Sequence, residues 1–247
     1  MLVNILLPVY NVDPDMLDEC LKSIFSQTFD GWKVIIVDDA STSLETCKYL
    51  KTLGEPTQHR EVHRLDSNIG EMFARLEGRH YLDDDCKYVA FMDSDDIMLP
   101  ARLEKQVEFL DDCPKVDILG TQIQRFSPFY INDIQSKDLV TKHPFNVNDC
   151  IVREYWSINN PTTMMRREVV EQFDLNSISA IQNSFGISKN TFGDYIFYLI
   201  NVKKGVQVRN LSEVLLLYRV HGGQLSGDSE YQNNAHKEIR KGLWRNT

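Results

Sequence analysis

The sequence predicts an α/β fold with a doubly wound, mostly parallel central sheet. Strand-like apolar runs alternate with amphipathic helical segments over about the first 110 residues, and this order produces parallel strands joined by helical crossovers. The second predicted strand, KVIIV at residues 33–37, is continuously apolar over VIIV at 34–37, as is typical of sheets covered by helices on both faces. Polar clusters follow three of the strands, where such sheets bind ligands.

The first half can be predicted element by element. Residues 4–9 form a strand, and Asp13 and Pro14 then supply an N-cap and a first-turn proline for a helix with one apolar face. Further strands are predicted at 33–37, 62–65 and 88–92, and helices through Leu44, from 68–70 and from Pro100.

After residue 116 the alternation is less regular. The predicted elements are a strand at 116–126, irregular chain at 127–160, a strand at 161–166, a helix at 167–173, a loop at 174–192, a helix at 194–203 and a strand at 214–220. Because no repeat or low-complexity linker divides the 247 residues, we expect a single domain, with a nucleotide-binding half at about 1–115 and an acceptor-binding half at about 116–247.

Composition limits the classes of partner. The net charge of −9 argues against nucleic acid, whose binders present a basic face. The five cysteines form no CxxC pair, which favours reduced thiols. No signal-peptide pattern and no apolar run long enough to span a membrane occurs. We expect a soluble, cytoplasmic chain without a transmembrane segment; peripheral membrane attachment and the oligomeric state stay open.

The segment YVAFMDSDDIMLP at residues 88–100 concentrates negative charge at one point. Asp93, Asp95 and Asp96 follow an apolar strand, and the segment contains no Lys or Arg. Neighbouring carboxylates raise one another's pKa unless a cation is supplied. The cluster therefore predicts either a solvated loop or a metal site.

Several further motifs carry a family resemblance. In chain order they are LLPVYN, KVIIVDDAST, NIGEMFARLEG, VAFMDSDDIMLPARLEKQV, PTTMMRREVVEQF, FGDYIFYLI and VLLLYRVHGGQLS. In this order and spacing they resemble family 2 glycosyltransferases with the GT-A fold. The resemblance implies an inverting transferase that uses a nucleotide-diphosphate sugar and Mn²⁺ or Mg²⁺. UDP is favoured because the family most often uses it, while GDP, dTDP and a glycan, lipid-linked or protein hydroxyl acceptor stay open.

Resemblance and chemistry together assign the acidic cluster. Divalent cations of this kind take oxygen ligands from one or two carboxylates and from phosphates, and Asp95 is the predicted metal ligand. The resemblance implies that Asp93 contacts the ribose or a metal-bound water, with Ser94 also at the nucleotide. Asp96 is expected either to contact the ribose or a metal-bound water in the same way or simply to cap the turn.

The resemblance also implies a pocket for the base. Asp39 is expected to accept a hydrogen bond from the base ring and Asp38 to brace the loop, with a helix N-cap as the alternative for both. Pro8, Tyr10 and Asn11 are expected to flank the same base.

Three cationic side chains are further candidates. Arg75 lies where the family's helix offers a cation toward the donor, with a surface arginine as the alternative. The resemblance of YRVH to a late Tyr-Arg-x-His signature implies that His221 completes the metal shell or binds a phosphate oxygen, with Arg219 nearby.

The reaction requires a base for the acceptor hydroxyl. One carboxylate suffices when a metal assists the leaving group, and Asp194 is the predicted general base. The family usually has Glu-Asp here, whereas this chain has Gly193 before Asp194. A helix N-cap is the alternative role for Asp194.

Three other functions compete with glycosyl transfer. A sugar nucleotidyltransferase would usually carry a basic Gly-rich loop after the first strand, and VYNVDPD has none. A phospho-receiver domain would have its acidic pair after the first strand, whereas Asp38 and Asp39 follow the second. Such a domain would also be about half as long as this chain. A non-catalytic sugar-nucleotide or glycan-binding module of the same fold is favoured only by Gly193.

Overall fold

The computed structural model describes residues 1–127, 140–149, 157–188, 191–222, 238–239 and 241–242. Within them the strands are β1 Val3–Val9, β2 Trp32–Asp38, β3 Arg60–Arg64, β4 Tyr88–Phe91, β5 Ile97–Met98, β6 Ile118–Phe126, β7 Val140–Thr141, β8 Met164–Arg166 and β9 Val208–Arg219. These strands form one sheet in the order β3-β2-β1-β4-β8-β6-β9-β5, with β7 paired to β6.

The direction of the strands changes across the sheet. β3, β2, β1 and β4 are parallel, β8 is antiparallel to β4 and β6, and β9 is parallel to β6. The predicted α/β class is confirmed, with a mixed sheet beyond β4. The chain adds β2 and β3 on one side of β1 and β4 on the other, so the boundary between β1 and β4 is the topological switch point at which such sheets bind ligands.

Helices cover both faces of the sheet. They are α1 Pro14–Phe25, α2 Leu44–Thr52, α3 Glu71–Glu77, α4 Arg102–Asp112, α5 Arg167–Glu171, α6 Asn176–Ser184 and α7 Gly193–Lys203, with 3₁₀ turns at Gly78–Tyr81 and Asn160–Thr162. The predicted cap of α1 is confirmed, because Asp13 Oδ1 accepts hydrogen bonds from the N–H groups of Asp15 and Met16 at 2.9 and 3.4 Å.

The alternation of side chains along β1 divides the core into two layers. Ile5 and Leu7 pack with Leu17 of α1 in one buried cluster, and Leu6 packs with Phe197 of α7 in the other. Burial on both faces explains why β1 and β2 are apolar at nearly every position.

Several predicted elements differ from the structure. The loop expected at 174–192 is wrong in its first half, since Asn176–Ser184 forms α6 with Ile178 and Gln182 buried four residues apart. The strand expected at 161–166 begins with a 3₁₀ turn and is extended only over β8. The last strand starts earlier than expected, at Val208. Much of the irregular segment predicted at 127–160 lies outside the described residues.

Across the parts of the chain that the structure describes, no helix has the length and apolarity needed to cross a membrane.

Candidate active site

Loops with unusual backbone geometry surround the switch point. Among the described residues, the non-glycine positions with positive φ are Asn11 after β1, Ala40 after β2 and Phe192 before α7, with φ of 52°, 56° and 60°. Such conformations are sparsely populated and cluster at functional sites. Three separate connections therefore converge on one region with a locally strained backbone.

The acidic cluster predicted from the sequence exists in three dimensions. Asp93, Asp95 and Asp96 each offer a carboxylate oxygen, and these atoms lie within 4.8 Å of one another. Asp96 is buried, and its Oδ1 accepts the Arg219 N–H at 2.8 Å. Within the described residues, its buried Oδ2 has no hydrogen-bond partner. Clustered oxygen donors with one unsatisfied atom fit a Mg²⁺ or Mn²⁺ ion.

Burial and mutual repulsion perturb the carboxylates of this cluster. Burial raises the pKa of Asp93 to about 7, with Arg75 opposing the shift and Glu71 and Asp95 adding to it. Burial, reinforced by the charges of Asp93 and Asp95, also raises the pKa of Asp96 well above its usual range. The protein alone therefore retains protons that a bound cation would displace.

Arg75 forms the floor of the site. The alternative of a surface arginine is wrong, because the side chain is fully buried. Its Nη1 donates to the carbonyl oxygen of Leu6, in the middle of β1, at 3.2 Å and to that of Met92, just after β4, at 2.7 Å. Its Nη2 donates to the carboxylates of Glu71 and Asp93. This burial means that Arg75 would act on a donor through Asp93 rather than by direct contact.

A second buried arginine lies beneath the cluster and was not predicted as a site residue. Arg102 Nη2 donates to the carbonyl oxygen of Phe91 at 2.8 Å, and its Nε donates to Gln106 Oε1 at 3.1 Å. Burial lowers the pKa of Arg102 to about 9, and the carboxylates of Asp96 and Asp93 oppose that shift. The family-like segment LPARLEKQV contained this residue, but helical periodicity alone gave no reason to bury a cation there.

The end of β9 reaches the acidic loop, as the late signature implied. Arg219 Nε donates to the backbone oxygen of Asp95 at 2.6 Å, and Nη2 donates to Glu19 Oε2 at 2.5 Å. His221 Nε2 lies 2.9 Å from Asp95 Oδ2. Both residues thus hold Asp95, the predicted metal ligand.

Asp38 and Asp39 organise the loop after β2. Asp38 Oδ1 accepts the Ser41 N–H at 2.8 Å and Oδ2 pairs with Arg64, contacts of the kind that the expected bracing role requires. Asp39 accepts N–H groups from Ile69 and Gly70 at 2.7 and 3.0 Å. The alternative N-cap role is wrong, because Ser43 caps α2. Contact between Asp39 and a base stays a prediction.

The residues expected around the base occupy the adjoining loop. Tyr10 is 48% exposed, whereas Pro8 is buried in β1 and Ser94 is half-buried. The Asn11 side-chain oxygen accepts the N–H groups of Thr42 and Ser43 at 2.7 Å each. Asn11 therefore ties the first loop to the second, and both Asn11 and the Tyr10 ring are exposed.

Asp194 approaches the same site from α7. It is the second residue of that helix, whose N-cap position is Phe192, so the alternative N-cap role is wrong. Burial raises the pKa of Asp194 to about 6, the charge of Glu71 adds to the increase, and Arg75 opposes it. Asp194, Glu71 and Arg75 thus act electrostatically on one another.

Comparisons with known proteins agree with this arrangement. The model of the family described as "Glycosyl transferase family 2" matches residues 4–174, more than half of the chain. The chain belongs to glycosyl transferase family 2. The transferase is 27% identical over 217 residues to the amylovoran biosynthesis glycosyltransferase AmsE of Erwinia amylovora, which covers 87% of this chain and 75% of AmsE.

Solved structures show that the transferase has the GT-A fold. S. aureus TarS 1-349 in complex with UDP superposes with a TM-score of 0.66 at 18% identity, over 97% of this chain and 65% of that one. The mannosyltransferase PcManGT from Pyrobaculum calidifontis, in complex with GDP-Man and Mn²⁺, superposes with a TM-score of 0.63 at 16% identity. The match covers 100% of this chain and 64% of PcManGT. The transferase therefore spans slightly less than two thirds of these chains.

The structure explains why the transferase has glycine before Asp194. A Cβ built on Gly193 would lie 2.7 Å from Met72 Cβ, closer than side-chain carbons approach. The start of α7 packs on α3 too tightly for any side chain at position 193. Glycine at position 193 therefore serves a close contact between the two helices.

Glu71 is the other site residue that sequence reasoning missed. It begins α3, is 39% exposed, and lies beside Arg75 on the open side of the site. Its position in NIGEMFARLEG indicated only the first turn of a helix, where acidic residues are common for electrostatic reasons.

Proposed function

We propose that the protein is an inverting glycosyltransferase that moves a sugar from a nucleotide-diphosphate sugar, with a UDP-sugar favoured, to a hydroxyl acceptor. Asp95 and Asp93 would hold a divalent cation, Mn²⁺ or Mg²⁺, with His221 at Asp95. Asp194 would be the general base.

One observation carries this proposal. At the switch point of the sheet, a cluster of carboxylate oxygens adjoins a buried arginine whose charge also acts on a separate, half-buried carboxylate. Arg75 binds Asp93 directly, and its charge acts on Asp194. Metal-assisted departure and base-assisted attack need two such groups on opposite sides of one sugar.

The chain's residues would divide the work of a single displacement. Asp194 would accept the proton of the acceptor hydroxyl while the hydroxyl oxygen forms a bond to the anomeric carbon. The bond from that carbon to the diphosphate oxygen breaks, and its electron pair leaves with the nucleotide. A divalent cation bound at the acidic cluster would neutralise the negative charge that develops on the diphosphate. Attack opposite the leaving group inverts the anomeric configuration.

Tyr10 and Asp39 would bind the nucleoside. The Tyr10 ring, about half exposed beside the switch point, offers an apolar face for a base. The family resemblance implies that the Asp39 carboxylate, which holds the loop through Ile69 and Gly70, accepts a hydrogen bond from the base. A base that donates an N–H, as uracil does, suits an acceptor of this kind.

Calorimetric titration of UDP, GDP and dTDP, each with and without Mn²⁺, tests the proposal. Tight binding of one nucleotide only in the presence of Mn²⁺ would support the site and identify the base. Failure of all three to bind would contradict a nucleotide-diphosphate donor. Release of that nucleotide from its sugar nucleotide, dependent on added alkyl glycosides, would separate a transferase from a non-catalytic module.

A further inference from the structure

Glu71 has one engaged and one available carboxylate oxygen. Its Oε1 lies 2.5 Å from Arg75 Nη2, and the same nitrogen binds Asp93 Oδ1. Within the described part of the chain, Glu71 Oε2 makes no hydrogen bond. With 39% of the side chain exposed, this second oxygen is accessible to a ligand in the site.

The side chain of Glu71 is held in a fixed orientation. Its partner Arg75 is fully buried, bonded to two backbone carbonyls, and 5.0 Å from the centre of the Phe91 ring. An acceptor held by such an immobile cation loses little further freedom when it binds a ligand. Glu71 is therefore preorganised rather than a freely rotating surface glutamate.

Two contacts locate Glu71 between the two chemical centres. Through Arg75 it adjoins Asp93 of the acidic cluster. Through the contact of the next residue, Met72, with Gly193, it adjoins the start of α7, and its charge acts on Asp194. If the diphosphate binds at the cluster and the acceptor at Asp194, the transferred sugar lies between them, beside Glu71.

We propose that Glu71 accepts a hydrogen bond from a hydroxyl of the transferred sugar and so positions the donor and contributes to sugar selectivity. The inference rests on the proposed function of this site. An ionised carboxylate only accepts hydrogen bonds, and a sugar ring offers several hydroxyl donors. A metal-ligand role is less suited to Glu71, because the carboxylates whose oxygens converge in the described structure are Asp93, Asp95 and Asp96.

The test compares nucleotide and sugar nucleotide binding in matched variants. Affinities of UDP and UDP-GlcNAc, and of GDP and GDP-mannose, are measured with Mn²⁺ for the wild type, Glu71→Gln, Glu71→Asp and the control Glu77→Gln. Glu77 ends the same helix and is paired with His80, away from the site. GlcNAc and mannose have the same hydroxyl configuration at C3 and C4 and the same hydroxymethyl group on C5, so both probes offer comparable donors.

We expect Glu71→Gln to weaken the sugar nucleotide at least about tenfold, the loss typical of a hydrogen bond to a charged group. Affinity for the nucleotide alone should stay within about twofold, and Glu77→Gln should match the wild type for both ligands. Glu71→Asp should retain part of the sugar selectivity, because it keeps the charge but shortens the reach. Melting temperatures verify that the variants are folded.

The outcomes separate the inference from the proposed function. Equal losses for nucleotide and sugar nucleotide would overturn the inference and reduce Glu71 to a support for Arg75. Unchanged sugar-nucleotide affinity would overturn it as well. If the wild type binds none of UDP, GDP and dTDP with Mn²⁺, the proposed function itself fails, and the inference falls with it.

Discussion

His221 and Asp95 are joined by a contact of 2.9 Å between Nε2 and Oδ2. The contact connects the end of β9 to the acidic loop after β4, which are 126 residues apart in sequence. Contacts of this kind orient metal ligands, and their loss commonly reduces metal affinity 10- to 100-fold. The pair predicts that His221 and Asp95 act as a unit toward the metal.

Asp95→Asn should weaken Mn²⁺-dependent nucleotide binding strongly, because an amide oxygen replaces an anionic ligand. His221→Ala should weaken Mn²⁺-dependent binding by about tenfold or more. The double variant should bind no worse than Asp95→Asn alone, because the two residues share one function. Calorimetry with and without Mn²⁺ provides the four affinities. Additive losses in the double variant would show that His221 acts independently, and unchanged binding in Asp95→Asn would exclude it as a ligand.

Asp194→Asn should leave Mn²⁺-dependent binding of the nucleotide intact and remove transfer. The asparagine preserves size and can still accept the Tyr195 N–H, which lies 2.8 Å from Asp194 Oδ1, but it cannot take the acceptor's proton. Loss of a general base costs about 10² to 10⁴ in rate. The rate of transfer is measured as release of the nucleotide from the sugar nucleotide, with alkyl glycosides as acceptors. Near-wild-type turnover would refute the role, and the unaffected nucleotide affinity is the internal control.

The parallel half of the fold could be predicted because local signals and burial agree there. VIIV at residues 34–37 is apolar because both faces of β2 are covered, and the Asp13-Pro14 cap is satisfied within four residues. The helix at Asn176–Ser184 was missed because Asn, Ser and Gly suggested a loop, whereas only two of its side chains are buried. Tertiary contacts, rather than propensity, stabilise that helix.

The acidic cluster of the site could be predicted because its concentration of negative charge is unusual in sequence. Three carboxylates without a cation in sequence indicated a metal, and the structure brings their oxygens together. The roles of Glu71 and Arg102 could not be predicted, because they depend on contacts distant in sequence. Arg75, the partner of Glu71, also binds Asp93, and Arg102 binds the Phe91 carbonyl. Helical spacing shows which face a residue occupies but gives no information about which strand end lies opposite.

Gly193→Ala should destabilise the protein, although alanine is the better helix former. The helical preference favours alanine by at most about 1 kcal/mol, whereas overpacking commonly costs about 1–3 kcal/mol. The added Cβ would lie 2.7 Å from Met72 Cβ, so Met72→Ala, which retains that atom, should not rescue it. Urea denaturation of the single and double variants measures the free energy of unfolding. A Gly193→Ala protein as stable as the wild type would show that α3 and α7 separate easily.

Arg102→Met should lower the free energy of unfolding by about 2–4 kcal/mol, because it leaves buried acceptors unsatisfied. The guanidinium bonds the Phe91 carbonyl and Gln106 and is fully buried. Lys115→Met is the control, since it removes one positive charge from an exposed position and should change stability by less than about 0.5 kcal/mol. Urea denaturation of both variants makes the comparison. Equal stabilities would exclude a structural role for the buried cation.

The carboxyl group of Asp194 should titrate near pH 6, and Glu71→Gln should lower that value. Burial and the negative charge of Glu71 raise the pKa of Asp194, so removing that charge makes ionisation easier. The ¹³C carboxyl resonance of Asp194, assigned by its loss in Asp194→Asn, reports the titration without any ligand. Glu77→Gln, on the far end of α3, should leave the value unchanged.

The direction of this shift has a consequence for activity. A general base works only when deprotonated, so the metal-free pKa implies transfer that increases with pH through about 6 and reaches a plateau above it. In Glu71→Gln the same rise should occur at lower pH, even though the donor binds more weakly. A titration near pH 4 in the wild type, or one that Glu71→Gln does not move, would contradict the electrostatic link between the two carboxylates. In that case Glu71 could still contact the sugar, but Asp194 would lack the raised basicity that suits it to accept the proton.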